Sequence, residues 1–138
     1  MHSPSDRNTK HKYDHITRNR TLTPKSAKAK GRALQNTIAE LIRVKFNLHH
    51  DDVKPAIMGE KGVDIKLSRA AQERINLSIE CKNQESVNIW KAYEQASINA
   101  RHNEEPVVFL KRNRSPHLAL VEANYLLDII KLASTNDK

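Results

Sequence analysis

A mixed sheet flanked by helices is the fold class this sequence predicts: α/β, or more loosely α+β, in the order α-β-β-β-α-β-β-α. Three observations carry the prediction. Apolar residues recur at helical spacing from about position 24 to 46. Two later runs, 63–67 and 75–83, alternate apolar and polar residues as half-buried strands do. Val107-Val108-Phe109-Leu110 is a short continuous apolar run of the kind found in a central, doubly covered strand. At 138 residues there is room for one domain around one core.

Residues 1–24 are rich in Ser, Thr, Asn, His and charge, and poor in large apolar groups. They cannot bury enough surface to offset the entropy of ordering, so a flexible basic arm is expected ahead of a domain spanning 25–138. His2, His11 and His15 have no metal-ligand spacing and add basic character near neutral pH. A helix then starts at Pro24 or Ser26 and runs to about Phe46, with Leu34, Thr37, Ile38, Leu41, Val44 and Leu48 as its apolar stripe. Glu40 lies at the edge of that stripe. It reads either as a surface carboxylate beside Arg43 or as a third acid leaning over the sheet, with Gln35 its competitor for that place. The helix ends in Asn47-Leu48-His49-His50-Asp51-Asp52. Paired His and Asp suggest metal ligands, but consecutive residues rarely converge on one ion, so a loop with a helix-capping His is expected.

Residues 53–58 make a short edge strand that tolerates Pro55. Gly59 and Gly62 frame a turn into Val63-Asp64-Ile65-Lys66-Leu67. A loop over 68–74 leads to the run 75–83, where Ile75, Leu77, Ile79 and Cys81 share one face and Asn76, Ser78, Glu80 and Lys82 the other. After Asn83-Gln84-Glu85-Ser86, either Ser86 or Asn88 caps a helix from about Ile89 to Arg101. Its expected buried stripe is Ile89, Trp90, Tyr93, Ala96 and Ala100, which puts Trp90 and Tyr93 in the core rather than against nucleic-acid bases. Gln95 sits off the stripe, reaching the site or facing solvent. Glu104-Glu105-Pro106 ends the helix. The central strand 107–110 runs into a basic turn, Lys111-Arg112-Asn113-Arg114-Ser115-Pro116, and returns as a partner strand over 117–121. A short helix from Ala123 to about Leu132 closes the domain.

The chemistry collects at the two alternating runs. Paired antiparallel across the 68–74 loop, they would set Asp64 beside Glu80 on one sheet face. Two carboxylates held that close repel unless a cation neutralises them. A hard, oxygen-seeking ion such as Mg²⁺ suits the pair. Lys82, two residues beyond Glu80 and pointing the same way, is left to steer a water or to balance charge on a phosphate. The plainer alternative is a set of solvated strand-face residues in surface ion pairs, which is what many short motif matches turn out to be.

Charge narrows the partners. The chain carries a net +8, and residues 1–32 hold Arg7, Lys10, Lys12, Arg18, Arg20, Lys25, Lys28, Lys30 and Arg32 against only Asp6 and Asp14. A basic segment joined to a nearly neutral domain points to a polyanion, because each phosphate contact releases a counterion. A membrane-surface anchor would need an apolar stripe beside the charges, and none accompanies them. No apolar run approaches spanning length, and the N-terminus lacks the apolar segment of a signal peptide. The single Cys81 fits a reducing compartment, so a cytoplasmic protein is expected.

The element order, with an acid in the first helix, Asp on the second strand and Glu-x-Lys on the third, resembles the PD-(D/E)xK nuclease superfamily. More narrowly it is similar to the small phage and archaeal Holliday-junction-resolvase-like endonucleases. Residues 31–122 carry the likeness, through Gly31-Arg32, Leu34-Gln35, Glu40, Gly62-Val63-Asp64-Ile65, Ile79-Glu80-Cys81-Lys82-Asn83-Gln84, Asn88-Ile89-Trp90-Lys91-Ala92-Tyr93-Glu94-Gln95-Ala96 and Phe109 with Lys111-Arg112-Asn113-Arg114-Ser115. No Pro precedes Asp64, which is a common departure, and the arm lies outside the likeness.

The resemblance implies a restriction-endonuclease-like core. It implies Asp64 and Glu80 as Mg²⁺ ligands helped by the carbonyl of Cys81, Mn²⁺ as a substitute ion, and Lys82 at the attacking water or the phosphate. Glu40 would be the first-helix acid, and Gln95 a further candidate at the site. Lys25, Lys28, Lys30, Arg32, Asn83, Lys111, Arg112 and Arg114 are the residues expected against DNA. A homodimer in a phage-infected or bacterial cytoplasm, acting on branched or junction DNA, completes the expectation. Two alternatives stand beside this Mg²⁺-dependent, structure-selective endonuclease: a non-catalytic nucleic-acid-binding protein on the same fold, and a repair- or restriction-type endonuclease. The second has little chain left for a separate target-reading domain.

Overall fold

The structure, a computed structural model, describes residues 22–136. The expected basic arm over 1–24 therefore lies almost wholly outside the described residues. Helix α1, Pro24–Phe46, opens on Thr23, whose side chain accepts from the Ser26 amide at 3.1 Å, and closes at Asn47 in the left-handed region. Its buried line is Leu34, Ile38, Ala39 and Ile42, whereas Leu41 and Val44 are 43% and 69% exposed. The expected stripe was rotated too far. Apolar residues at both 41 and 42 leave the phase open, and the burial of Ala39 fixes it.

Strands β1 (Val53–Pro55) and β2 (Ile65–Leu67) form a small antiparallel hairpin, pairing Val53 with Leu67 and Pro55 with Ile65. The turn between them holds Gly59 and Gly62 at φ 83° and 109°, conformations costly for any residue with a Cβ. Residues 68–74, expected to be a loop, contain a short helix instead. This is α2, Arg69–Arg74, started by the Ser68 hydroxyl, which accepts from Ala71 N and donates to Asp52 Oδ1 at 2.7 Å.

Strand β3 (Leu77–Asn83) lies parallel to β4 (Glu105–Lys111), and β4 antiparallel to β5 (Leu118–Leu120), so β4 is the centre of a three-stranded sheet. Helix α3, Ile89–Asn99, is the crossover that parallel pairing requires. The two alternating runs do not form the expected antiparallel ladder. The hairpin and the three-stranded sheet are separate, joined at one backbone bond from Asp64 N to Ile79 O at 2.9 Å.

Two helices sandwich β3. Ile79 and Cys81 meet Leu34, Ile38, Val53, Ile65 and Val107 in the main core. On the opposite face Ala92 and Ala96 pack with Val108, and the buried Ser78 hydroxyl donates to Ala96 O at 2.8 Å. The two alanines let α3 approach closely, and that phase turns Trp90 outward. It is 80% exposed and Ile89 37%, so the expected α3 stripe is corrected here too. The last helix, α4 (Ala123–Asn136), is longer than expected and buries none of its residues. Among the described residues no helix is long and apolar enough to cross a membrane.

Candidate active site

Alternation along β3 sends Ser78, Glu80 and Lys82 to the α3 side and puts Glu80 just beyond the last fully covered residue. The side chain is only 8% exposed. Asp64 arrives from the turn before β2 and is held on the open edge of β3 by two bonds. Its amide donates to Ile79 O, and its Oδ2 accepts from the Cys81 amide at 2.7 Å. The carboxylate thus stands where a neighbouring strand would offer a carbonyl. One aspartate replaces a ladder, and in doing so its head group comes near enough to the Glu80 carboxyl for the two to perturb each other. Lys82 Nζ lies 3.4 Å from Glu80 Oε1.

The electrostatics follow from burial. Glu80 is raised to about 7, first because desolvation disfavours its charge and then because Asp64 repels it, with Lys82 only partly offsetting both. Asp64 is also raised, by desolvation first, against the opposing pull of the Cys81 amide and Lys82. The Cys81 thiol points into the core, where burial pushes its pKa upward, so the side chain is an inert packing group, and the expected ligand from this residue was its backbone carbonyl. What converges is an all-oxygen pair that, with both groups ionised, carries more negative charge than one lysine balances. That donor set fits a hard divalent cation, which would compete with the proton that the raised Glu80 holds.

Glu40 is not brought to this pair. It is exposed and forms an ion pair with Arg43, whose Nη2 donates to Glu40 Oε2 at 2.6 Å and whose Nη1 donates to Val53 O. Gln35 takes the place that the first-helix acid was expected to fill. It lines a hollow of about 250 Å³ over Asp64, together with Lys28, Gly31, Arg32, Met58 and Gly59. The reason is helical phase. Positions 28, 31 and 35 share a face, and residue 40, five beyond 35, is turned about 140° away. Gln95, although exposed, does face the site side. It lines a hollow of about 220 Å³ with Lys82, Asn88 and Lys91. Lys91 was overlooked, yet it stands one turn before Gln95, so singling out one by i, i+4 spacing carries the other with it.

The basic residues divide. Lys28 and Arg32 border the Asp64 hollow, and Lys25 is exposed at the start of α1. Lys30 Nζ donates to Asn113 Oδ1 at 2.6 Å, and Asn83 Nδ2 donates to Lys30 O at 3.0 Å. These bonds draw the N-terminal end of α1 and the 111–116 turn together beside the end of β3. The Arg112 and Arg114 side chains are exposed on that turn and bond to none of the described residues, with Arg114 in a left-handed conformation. Lys111 is spent inside the turn, where its ammonium donates to Arg112 O and Ser115 O.

A second group of ligand-type side chains sits at the end of α1. His49, His50 and Asp51 hold ligand atoms within 4.8 Å of one another, all exposed, although the sequence argued against convergence there. Asp51 is already paired with both imidazoles and with Lys54. No protein-family model, curated protein or solved structure matches the chain.

Proposed function

We propose that the protein is a divalent-metal-dependent DNA endonuclease with a restriction-endonuclease-like core, acting on branched DNA. One observation carries the reading: half-buried Asp64 and buried Glu80, sixteen residues apart in sequence, perturb each other at one point with Lys82 beside them. Leaving two acids buried against each other costs stability, and a protein with only a structural use for the position would do better with apolar residues. Asp64 and Glu80 would hold Mg²⁺ or Mn²⁺. Such an ion, when bound, polarises a phosphoryl oxygen and lowers the pKa of a bound water.

The chain's own groups account for the rest of the chemistry. Lys82 Nζ lies 3.4 Å from Glu80 Oε1, placed to hold the attacking water or to balance charge building on the phosphate. Lys28 and Arg32 border the approach to Asp64 and suit the backbone on one side of the cut. Lys91 and Gln95 border the approach to Lys82 on the other. Arg112 and Arg114 extend the basic surface. A homodimer cutting two strands follows from the resemblance to resolvase-like endonucleases.

The test is purified protein with Mg²⁺ or Mn²⁺ on a four-way junction, a flap, a linear duplex and a single strand. Branched substrates are expected to be cut. Glu80→Ala and Lys82→Ala are expected to abolish cutting while binding persists. Wild-type binding without cleavage in either metal would sink the enzyme reading in favour of a binding protein.

A further inference from the structure

The sole tryptophan of the chain stands in water. Trp90 is 80% exposed on the first turn of α3, two residues after the Asn88 cap, whose side chain accepts from Lys91 N at 3.1 Å. Its neighbours point to two hollows. Lys91, Ala92 and Gln95 line the one that contains Lys82. Ile89 lines a larger one, about 490 Å³, with Leu110, Lys111, Arg112 and Pro116. Trp90 lines neither hollow but stands exposed on the turn of α3 whose adjoining residues border both, one hollow holding the candidate catalytic lysine and the other the basic turn. Core packing does not need it there, because α3 is held to the sheet by Ala92 and Ala96.

We propose that Trp90 stacks on an unpaired base of branched DNA, and so selects for strands that have left the duplex. The inference rests on the DNA-binding reading above and adds to it the feature of the substrate that is recognised. The surroundings favour a nucleic acid over a protein partner. Lys91 is the neighbour of Trp90 in sequence, Lys82 and Arg112 line the hollows bordered by the adjoining residues of α3, and of the two nearby acids Glu94 is one turn further along the helix while Glu85 is engaged by the Asn113 amide. A flat aromatic group amid cations is how proteins take up splayed bases: the ring stacks on the base while the cations follow the backbone. A paired base within a duplex offers no free face, whereas a branch point does.

Because Trp90 is the only tryptophan, its emission reports its own surroundings. The Glu80→Gln variant, which would not cut its ligand, is titrated with a flap or four-way junction and with a fully paired duplex of equal length closed by hairpin caps. Quenching is expected with branched DNA and little change with closed duplex. Trp90→Ala should weaken branched-DNA binding about tenfold while leaving duplex binding within about twofold, and Trp90→Phe should restore most of the difference. Emission that ignores branched DNA, or an equal loss on both ligands, overturns the proposal. So does emission that changes on diluting the protein alone, which would mark Trp90 as a self-association contact. None of these readouts requires cleavage. A protein that quenches but never cuts keeps this inference and loses the nuclease, and the converse result does the opposite.

Discussion

Asp64 with Glu80, and His49 with His50 and Asp51, are both groups of side chains close enough to share an ion, yet they stand in opposite physical conditions. The histidine group is exposed, and its one acid is matched by two imidazoles and Lys54. Its neighbours already engage Asp51 and solvent has access to all three residues, so an ion would gain little by binding. The carboxyl pair is covered, and Glu80 is driven to about 7 because neither solvent nor Lys82 fully balances the charge. Proximity of ligand atoms is common on surfaces. Unrelieved charge in a covered place is not, and perturbed groups of that kind cluster at functional sites.

Replacing Glu80 by Gln should separate the two groups most sharply. Cleavage of branched DNA is expected to fall by about 10²- to 10³-fold or more, the scale of removing a group that faces transition-state charge. Thermal stability at pH 8 should stay level or rise, since one buried charge disappears while the shape is kept. A stability loss with activity intact would make Glu80 a structural residue and erase the contrast.

The next effect is on pH. The ordinary value for Glu80 is 4.5 and the folded value about 7, so between them the folded chain holds a proton that the unfolded chain releases. That stabilisation is complete below about 4.5 and is lost as pH rises through 7. Metal-free protein should therefore melt at progressively lower temperature from pH 5 to 8, and Glu80→Gln should flatten that slope. Added Mg²⁺ should raise the melting temperature at pH 8 more than at pH 6, because it competes with the proton that the raised Glu80 holds. Equal Mg²⁺ shifts at both pH values would show that the ion does not meet Glu80.

How far this contrast could be read from sequence depends on the kind of signal. Alternation alone placed Glu80 and Lys82 on one face of β3 and Cys81 on the other, because a strand's period is two whatever it pairs with. The central place of β4 was also legible, from its unbroken apolar run. The approach of Asp64 to Glu80 was expected for a partly mistaken reason. A ladder between the two runs does not form, and Asp64 imitates one with a side chain, a substitution that no periodicity reveals. The Ser68 cap of α2 was a readable signal that went unused. Helical phase was the weakest signal. Adjacent apolar residues at 41 and 42 in α1, and at 89 and 90 in α3, allow two rotations each. Small residues that the pattern ranks low, Ala39 and Ala92, decide which one occurs.

That phase error supplies a third prediction, on α1. Gln35→Ala, in the hollow over Asp64, is expected to lower cleavage about tenfold, the range seen when a residue orienting a metal ligand is lost. Glu40→Ala, which breaks only the exposed pair with Arg43, should leave cleavage within twofold and cost at most about 1 kcal/mol of stability. The reverse ranking would mean that Glu40 leaves Arg43 and reaches the site when substrate binds.

The smallest expected effect belongs to the histidine group, and it tests the comparison from its other side. His49→Ala with His50→Ala removes two exposed imidazoles whose contacts among the described residues are with Asp51 and with each other. Mg²⁺-dependent cleavage should be unchanged and stability should shift by under about 0.5 kcal/mol. Imidazole suits borderline ions such as Zn²⁺ or Ni²⁺ better than Mg²⁺, so those ions are the sensitive probe. Calorimetric titration with Zn²⁺ should show no stoichiometric binding that disappears in the double variant. If it does appear, and disappears with these two residues, exposure and pre-existing partners do not disqualify a cluster. Burial would then no longer be the property that sets Asp64 and Glu80 apart.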